Sequence, residues 1–300
     1  MKTENRNNSL PISAIVCTLN EENNIVECLT SIEKNKPSEI IVIDGSSEDR
    51  TVEKATEMGV KVSVCERKGL AYQRYIGAEI AQQPYIAFID ADDVLDSDCL
   101  KNLMENLQNY ECSVVQAISR SYSSSTYWER AMESLNHLRS RKPGPTNMVG
   151  RPALYRKDVL MQVGIDKYWG RIGNEDTDLA IRFEKQNQKM RIGDGYSARK
   201  HSKTLKEWLH KWAKYGKGDA KLIIKYPDKR TSIFHHQLIH YPFKLSFEAV
   251  KKGYGKYVPF YVLFGLVRFV IMIARLIQLK WEQLTLKTSG FRKQFIKTSH

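Results

Sequence analysis

The segment from Tyr85 to Asp93 constrains the fold more than any other part of the chain. Five mainly apolar residues, Tyr85 to Ile89, run directly into three carboxylates within four positions. An apolar run of this length indicates a buried strand, and acids that follow a strand lie where an open α/β sheet binds ligands. Closely spaced carboxylates repel one another, so a hard divalent cation is a natural group to hold them together. The alternative is a solvated turn, because the segment 96–98 has the composition of a helix N-cap.

Strand-like and helix-like segments alternate through the first ninety residues. Apolar positions recur with helical spacing at Ile25, Leu29 and Ile32, and Gly59 is a suitable C-terminal stop for the following helix. Strands that alternate with short helices are typical of a parallel, doubly wound sheet. The predicted strands are 12–18, 39–43, 61–65 and 85–89, and the predicted helices are 24–34, 51–58 and 70–81.

The pattern continues less regularly beyond residue 98. The sequence predicts a strand over 113–119, and it predicts a helix over 179–186 that begins directly after the acidic segment 173–178. A basic helix over 205–215 carries two tryptophans four residues apart. We therefore expect one α/β domain over residues 10–220 and a basic, helical C-terminal region over 221–300.

The net charge of +13 narrows the possible partners. It predicts attraction to polyanions, which are nucleic acids, anionic membrane surfaces or phosphorylated substrates. The five cysteines are odd in number and show no CxxC spacing, so we expect buried free thiols in a reducing compartment. The first nine residues are polar and lack the apolar region of a signal peptide, which predicts a cytoplasmic location for the α/β domain.

The stretch Val258–Leu279 is highly apolar and long enough to span a bilayer. Arg268 and Arg275 interrupt it, and placing arginines inside a membrane costs free energy. Their seven-residue spacing puts both on one helix face. Such a helix could span the membrane, lie in the interface with its arginines reaching the headgroups, or pack in a protein groove. We expect contact with an anionic membrane surface, either peripheral or single-pass.

The familiar glycine-rich phosphate loops are missing. The sequence contains no GxGxxG after the first strand, which argues against a dinucleotide fold, and no GxxxxGK[ST], which excludes a P-loop NTPase. Asp44 ends the second predicted strand, where an acidic residue commonly accepts hydrogen bonds from a ribose or a base. Arg67, Lys68 and Arg74 fall between the third and fourth strands, near the expected position of a diphosphate. These features favour a sheet that binds nucleotides through a metal and basic side chains.

Five segments resemble the motifs of family 2 glycosyltransferases with a GT-A fold, and they occur in the family's order. The matches are 17–25 with PTLNEExNI, 41–51 with VDDGSxDxT, 69–78 with GxxxARNxGxxxA, 90–92 with the DxD metal motif and 173–179 with GxEDxDL. Together they cover about Ile12 to Gly218. Gly45 stands where a second aspartate is usual, and Tyr75 replaces an asparagine. Neither departure removes a residue that the chemistry needs, but both loosen the assignment of the nucleotide base.

The resemblance implies an inverting transferase that uses a nucleotide-sugar, with a UDP-sugar as the expected donor. Asp92 would bind Mn²⁺ or Mg²⁺ that bridges the diphosphate, and His201 resembles the late histidine that completes the metal shell in several such enzymes. Asp44 would contact the base, and Asp90 the ribose or the sugar. The residues expected to bind the nucleotide-sugar are Thr18, Asn20, Glu21, Asp44, Arg74, Asp90 and Ala91.

The resemblance also implies a catalytic base. Asp176 would take the proton from the acceptor hydroxyl, with Glu175 as the neighbouring alternative. Two acids at a helix N-terminus suit this role, because the helix end stabilises carboxylate charge. The alternative is that both acids only cap the helix. The QxxRW motif of processive synthases is absent, so we expect a single transfer per encounter.

Two other functions fit parts of the sequence. A soluble nucleotidyltransferase would need a Gly-rich basic loop after the first strand, which is missing. A nucleic-acid-binding protein would fit the positive charge, but the sequence shows no helix-turn-helix, zinc site or RNP-like aromatic pattern. We therefore expect no nucleic acid partner. The expected enzyme acts at the cytoplasmic face of the membrane on a lipid-linked or cell-surface glycan acceptor.

Overall fold

The chain forms two compact units in a computed structural model that describes residues 9–139 and 142–297, with side chains as far as residue 282. The first unit ends at Leu205 and the second begins at Lys206. The boundary expected at residue 220 lies inside a continuous helix, Leu205–Lys225. The polar segment 1–8 that bears on the signal-peptide prediction lies outside the described residues.

Among the residues that the structure describes, a mixed sheet of nine strands forms the centre of the first unit. The strands are β1 Leu10–Thr18, β2 Pro37–Asp44, β3 Lys61–Val64, β4 Tyr85–Asp90, β5 Asp93–Leu95, β6 Val114–Ser121, β7 Gly144–Pro145, β8 Ala153–Arg156 and β9 Met190–Arg199. Their order is β3-β2-β1-β4-β8-β6-β9-β5, and β7 pairs with β9. Strands β1 to β4 are parallel, as predicted. Strand β8 is antiparallel to both β4 and β6, and β5 and β7 are antiparallel to β9, so the complete sheet is mixed.

Helices cover both faces of this sheet. They are α1 Ile25–Lys34, α2 Thr51–Glu57, α3 Leu70–Ile80, α4 Cys99–Asn109, α5 Tyr127–Arg139, α6 Lys157–Val163 and α7 Glu175–Lys185. Successive β1 residues point to opposite faces, so Val16 packs in one core with Leu29, while Ile15 packs in the other with Ala78. Such two-sided covering explains why the parallel strands read as continuous apolar runs.

The structure corrects one of the later predictions and adds a strand that was not predicted. The predicted helix over 179–186 begins four residues earlier, at Glu175, so the acids lie in its first turn. Asn174, the residue before this helix, has a left-handed backbone with φ 68°, so the preceding loop ends at this residue. Strand β9 was not predicted, because Gly193, Asp194 and Gly195 interrupt the alternation that marks a strand.

The second unit is helical. It contains α8 Leu205–Lys225, α9 Arg230–His235, a π-helix His236–Leu245, α10 Ser246–Lys251 and α11 Val258–Lys297, with 3₁₀ turns at Pro227–Lys229 and Gly255–Tyr257. The two tryptophans of α8 lie in an aromatic core, since the ring centroids of Trp208 and Phe260 are 5.3 Å apart and those of Trp212 and Phe264 are 4.2 Å apart. Both tryptophans therefore stabilise the packing of α11 on α8.

A buried ion pair holds α11 within this unit. Arg268 donates to Asp219 of α8 through Nε, 2.9 Å from Oδ2, and through Nη2, 2.6 Å from Oδ1. Gln237 donates a further hydrogen bond of 2.7 Å to the same carboxylate. Among the described residues, the segment Gly255–Glu282 is long and apolar enough to cross a membrane, and 28% of its most apolar part is buried inside the protein.

Candidate active site

Three parallel strands end side by side at one edge of the sheet. Thr18 of β1 pairs with Asp44 of β2, and Cys17 of β1 pairs with Asp90 of β4. The carboxyl ends of parallel strands form the ligand-binding edge of an open α/β sheet. The predicted residues Thr18, Asp44 and Asp90 therefore lie together at that edge.

Asp44 is fully buried at the end of β2. Its carboxylate accepts hydrogen bonds of 2.8 Å from the Thr18 hydroxyl and 2.8 Å from the Ser47 backbone N–H, and another from the Ser47 hydroxyl. Three hydrogen bonds to one carboxylate fix the loop that follows β2 against the end of β1. The structure thus shows a loop-supporting role for Asp44, and its contact with a nucleotide base stays a prediction.

Asn20 and Glu21 connect the loops that follow β1 and β2. Asn20 has a left-handed backbone, φ 58°, and its N–H donates to the Ser47 hydroxyl at 2.8 Å. Its side-chain oxygen accepts from the Glu48 N–H at 2.8 Å, and the Glu21 N–H donates to the Thr51 hydroxyl at 2.7 Å. Both predicted residues therefore form the rim of the strand-end edge.

The packing around position 45 explains why this residue is a glycine. Buried Gln73 of α3 donates through Nε2 to the carbonyl oxygens of Thr18 and Ile43, both at 2.8 Å. A Cβ on residue 45 would lie 3.1 Å from this Nε2. A second aspartate after Asp44 would crowd the amide that fastens α3 to the strand ends.

Arg74 joins the strand ends to the first turn of α7. Its buried guanidinium donates through Nη2 to Asp90 Oδ1 at 2.9 Å and through Nη1 to Glu175 Oε1 at 2.8 Å. Bonds of this kind between charged groups are shorter and stronger than neutral ones. Arg74 therefore positions two acids of the site relative to each other, and its predicted contact with the diphosphate stays a prediction.

Arg199 at the end of β9 is a site residue that the sequence analysis missed. The pairing of β5 with β9 sets it opposite Asp93, and its Nε donates to Asp93 Oδ1 at 2.9 Å. Its Nη2 donates to Asp90 Oδ2 at 3.1 Å. No local pattern marks this arginine, because the contact depends on strands more than one hundred residues apart.

Burial and the neighbouring arginines give Asp90 and Asp93 different pKa values. Burial would raise the pKa of Asp90, but Arg199 and Arg74 outweigh burial and lower that pKa to about 2. Asp93 is more deeply buried, and this burial raises its pKa to about 7 against the opposing effect of Arg199. Asp90 consequently stays ionised to a lower pH than Asp93.

The carboxylates of Asp90, Asp92 and Asp93 come within 4.8 Å of one another. Oxygen ligands of this kind suit Mg²⁺ or Mn²⁺. Asp93 is held by Arg199, whereas Asp92 is partly exposed, with the Arg199 Nε 3.9 Å from its Oδ1. Among the described residues, His201 is not a member of this three-carboxylate group, and its metal-ligand role stays a prediction.

The formal charges of the site also fit a divalent cation. With every carboxyl group ionised, five carboxylates and three guanidinium groups leave two net negative charges, which such an ion would neutralise. The carboxylates belong to Asp90, Asp92, Asp93, Glu175 and Asp176, and the guanidinium groups belong to Arg74, Arg151 and Arg199. Arg151 is a further buried residue that the sequence analysis missed, and its carbonyl oxygen accepts from Arg199 Nη2 at 3.1 Å.

The two candidate bases of α7 have different surroundings. Glu175 is tied to Arg74, and burial raises its pKa against the opposing effect of that arginine. Asp176 is half-buried, and its Oδ1 accepts from the Thr177 N–H at 2.8 Å. The geometry favours Asp176 as the acid that can reach a ligand, because Glu175 is engaged in positioning.

The loop between β4 and β5 is fixed by its neighbours. The side chain of Ala91 is buried in the core, so any contact of this residue with a ligand would come from its backbone. The Lys200 N–H donates to the Asp92 carbonyl oxygen at 2.9 Å, and its Nζ lies 2.7 Å from Glu27. Lys200 thereby fixes the backbone that carries Asp92.

The profile of Glycosyl transferase family 2 matches residues 13–164, which include the strand ends and the three-carboxylate cluster. This chain belongs to glycosyl transferase family 2. The match covers half of the chain and ends before the first turn of α7.

Curated relatives are similar over part of their length. An uncharacterized glycosyltransferase of Rickettsia bellii is 37% identical over 87 residues, 29% of this chain and 29% of its own. The glycosyltransferase GlyA of Streptococcus pneumoniae is 29% identical over 191 residues, 58% of this chain and 26% of its own. A glucosyl-dolichyl phosphate glucuronosyltransferase of Haloferax volcanii is 26% identical over 208 residues, 59% of this chain and 64% of its own. The chain therefore spans less than two thirds of each of these relatives.

A solved structure shares the fold. The crystal structure of GalNAc-T7 with UDP, GalNAc and Mn²⁺ superimposes with a TM-score of 0.59, over 77% of this chain and 51% of the other. Sequence identity is 16%, so the similarity concerns the fold alone. It confirms the GT-A fold expected from the sequence motifs.

Proposed function

We propose that this protein transfers a sugar from a nucleotide-sugar, with UDP as the expected nucleotide, to a glycan or lipid-linked acceptor with inversion. One observation carries the proposal. Arg74 bonds both to Asp90 of the three-carboxylate cluster and to Glu175, the neighbour of Asp176. The three-carboxylate cluster, which suits a metal-bound diphosphate, thus lies next to a candidate base. Group transfer between two bound substrates requires such proximity.

The donor side rests on the three-carboxylate cluster. Asp92 would hold Mn²⁺ or Mg²⁺, and Asp90 and Asp93 would add negative charge around it. A bound divalent ion would neutralise the diphosphate leaving group. Thr18, Asn20 and the other predicted donor-binding residues line the adjoining strand ends.

The acceptor side rests on the first turn of α7. Asp176 would remove the proton of the acceptor hydroxyl, whose oxygen then forms a bond to the anomeric carbon of the donor sugar. The bond from that carbon to the diphosphate oxygen breaks, and the nucleoside diphosphate leaves with the electron pair. Asp176 lies in the first turn of α7, where an acidic side chain interacts favourably with the helix dipole, and it would act there as the general base.

The proposed location is the cytoplasmic face of a membrane. All five cysteines are buried and unpaired, as suits a reducing compartment. The apolar segment of α11 supports membrane contact. One relative is named for glucosyl-dolichyl phosphate, a lipid-linked sugar, which supports an acceptor or product in the membrane.

Donor binding and turnover test this proposal separately. UDP-, GDP- and dTDP-sugars would be titrated with Mn²⁺ or Mg²⁺ against the wild type, Asp92→Ala and Asp176→Asn. We expect Asp92→Ala to lose metal-dependent donor binding. We expect Asp176→Asn to bind the donor normally while donor hydrolysis or transfer falls about 10²- to 10⁴-fold, the usual contribution of a general base.

Two results would contradict the proposal. Absence of nucleotide-sugar binding with either metal would remove the transferase function, and the carboxylate cluster would then be a structural feature. Full turnover in Asp176→Asn together with its loss in Glu175→Gln would assign the base to the neighbouring residue instead.

A further inference from the structure

An exposed strip of apolar side chains runs along the π-helix and α10. Ile239, Phe243, Phe247 and Val250 follow one another at intervals of four, four and three residues, which places them on one side. Phe243, Phe247 and Val250 are 66%, 63% and 60% exposed. The opposite side of the same helices is buried in the unit through Tyr241, Pro242, Leu245 and Ala249. We call the four exposed residues the apolar strip.

Lysines accompany the apolar strip. Lys244, Lys251, Lys252 and Lys256 are exposed, and the Lys251 Nζ lies 4.4 Å from the centre of the Phe247 ring. Residues 206–300 contain 19 lysines and arginines but five acidic residues, so the second unit carries the entire net positive charge of the protein. A second copy of this unit would be repelled, whereas an anionic lipid surface is complementary in both charge and apolar character.

The packing of α11 argues against its crossing the bilayer alone. Arg268 is bound by Asp219 of α8, and α8 itself is rich in lysine. A Cβ on Gly216 of α8 would lie 2.8 Å from the Arg268 carbonyl oxygen, which shows how closely the two helices approach. Moving α11 through a membrane would separate Asp219 from Arg268 or draw a basic helix into the hydrocarbon.

We propose that the second unit docks on an anionic bilayer through the apolar strip, with both ends of the Val258–Leu279 segment on the same side of the membrane. The phenylalanines enter the acyl boundary, and the lysines remain at the level of the lipid phosphates. The inference rests on the membrane location proposed above and does not depend on the transfer reaction. It also distinguishes between the spanning and in-plane alternatives for α11.

Vesicle flotation of the full chain tests the apolar strip. Phosphatidylcholine vesicles with one third phosphatidylglycerol would be mixed with wild type, Phe243→Ser/Phe247→Ser, and Val250→Ser. Val64→Ser is the matched control, because Val64 of β3 is 55% exposed in the other unit. We expect the partition coefficient to fall at least tenfold in the double variant and several-fold in Val250→Ser, with no change in Val64→Ser.

Equal binding of the wild type and the double variant would overturn the role of the strip. Light scattering of the wild type without lipid provides a second check, since a dimer that dissociates in the double variant would show that a second copy covers the strip. Donor titration of the double variant, whose substitutions lie outside the candidate active site, would separate failure of this inference from failure of the proposed function.

Cysteine labelling distinguishes in-plane docking from spanning. Lys256→Cys and Lys280→Cys place one thiol at each end of the apolar segment, and all five native cysteines are buried. Each variant would be bound to preformed vesicles and treated with a membrane-impermeant maleimide from outside. We expect both thiols to react fully without detergent. Protection of one thiol until detergent is added would show a spanning helix and overturn the proposal.

Discussion

Arg74 illustrates how one buried cation can organise two acids. Its two partners, Asp90 and Glu175, would lose their shared counter-charge if the guanidinium were removed. We expect Arg74→Gln to lower the free energy of unfolding by about 3–5 kcal/mol, the usual cost of leaving one partner of a buried ion pair alone. Urea denaturation followed by circular dichroism measures this change.

A surface pair provides the control for Arg74. Arg50 also bonds a carboxylate at 2.8 Å, that of Glu53, but both side chains are more than half exposed. We expect Arg50→Gln to leave the free energy of unfolding nearly unchanged, because solvent screens an exposed ion pair. Similar costs for the two substitutions would show that the Arg74 bridge adds little to stability.

Asp90 leads to a prediction about acid stability. Its pKa is lowered from 3.8 to about 2, so its ion pairs stabilise the protein fully above pH 4 and lose that effect as the pH falls towards 2. The contribution amounts to about 2 kcal/mol. With a chelator present, the unfolding free energy of the wild type should fall more steeply between pH 4 and 2 than that of Asp90→Asn. Parallel slopes for the two proteins would contradict the assignment.

The sequence predicted site residues where they directly follow a strand. An apolar run that ends in polar residues is a local signal, and it placed Asp44 and Asp90 at strand ends, where the structure has them, while their roles stay predictions. Gln73 and Arg199 were missed, since each acquires its role from a backbone or carboxyl group distant in the chain. Asp44 is buried and supports the loop that follows β2, and its position in the sequence does not reveal this role.

At the scale of elements, strands β1 to β4 and β6 were predictable from the sequence, whereas β5 and β9 were not. Strands β1 and β4 and the second half of β2 are buried on both faces and read as apolar runs bounded by turn residues. Strand β5 has only three residues, and β9 contains two glycines whose positions are set by close packing against Val115 and Leu103. These two strands form through pairing and packing with distant parts of the chain, so the local sequence carries little information about them.

The packing of α11 can be tested with two glycines of the second unit. A Cβ on Gly265 would collide with the Gln237 carbonyl oxygen of the π-helix, whereas the nearest atom to a Cβ on Gly255 would be 3.6 Å away. We expect Gly265→Ala to destabilise the protein by about 1–3 kcal/mol through overpacking, and Gly255→Ala to change stability by less than about 0.5 kcal/mol. Thermal unfolding of both variants measures the difference, and equal melting temperatures would show that α11 is packed loosely.

For the whole molecule, the uneven charge predicts a strong salt effect on membrane binding. The affinity of the full chain for vesicles with one third phosphatidylglycerol should fall at least tenfold between 50 and 500 mM NaCl, because salt screens exposed charges. Vesicles of phosphatidylcholine alone serve as the control and should show weak binding with little dependence on salt. Salt-independent binding to the anionic vesicles would mean that apolar contact alone holds the protein there.

The same division of charge affects how the protein would search for its acceptor. Residues 1–205 contain 28 lysines and arginines and 29 acidic residues, so an anionic surface attracts the chain almost entirely through residues 206–300. Within a screening length of about 10 Å, that attraction would orient the second unit before any side chain touches lipid. If the protein docks as proposed, it would diffuse in two dimensions instead of three. A lipid-linked acceptor in the same leaflet would then be met by lateral encounter, at a rate governed by its surface density and not by its concentration in solution.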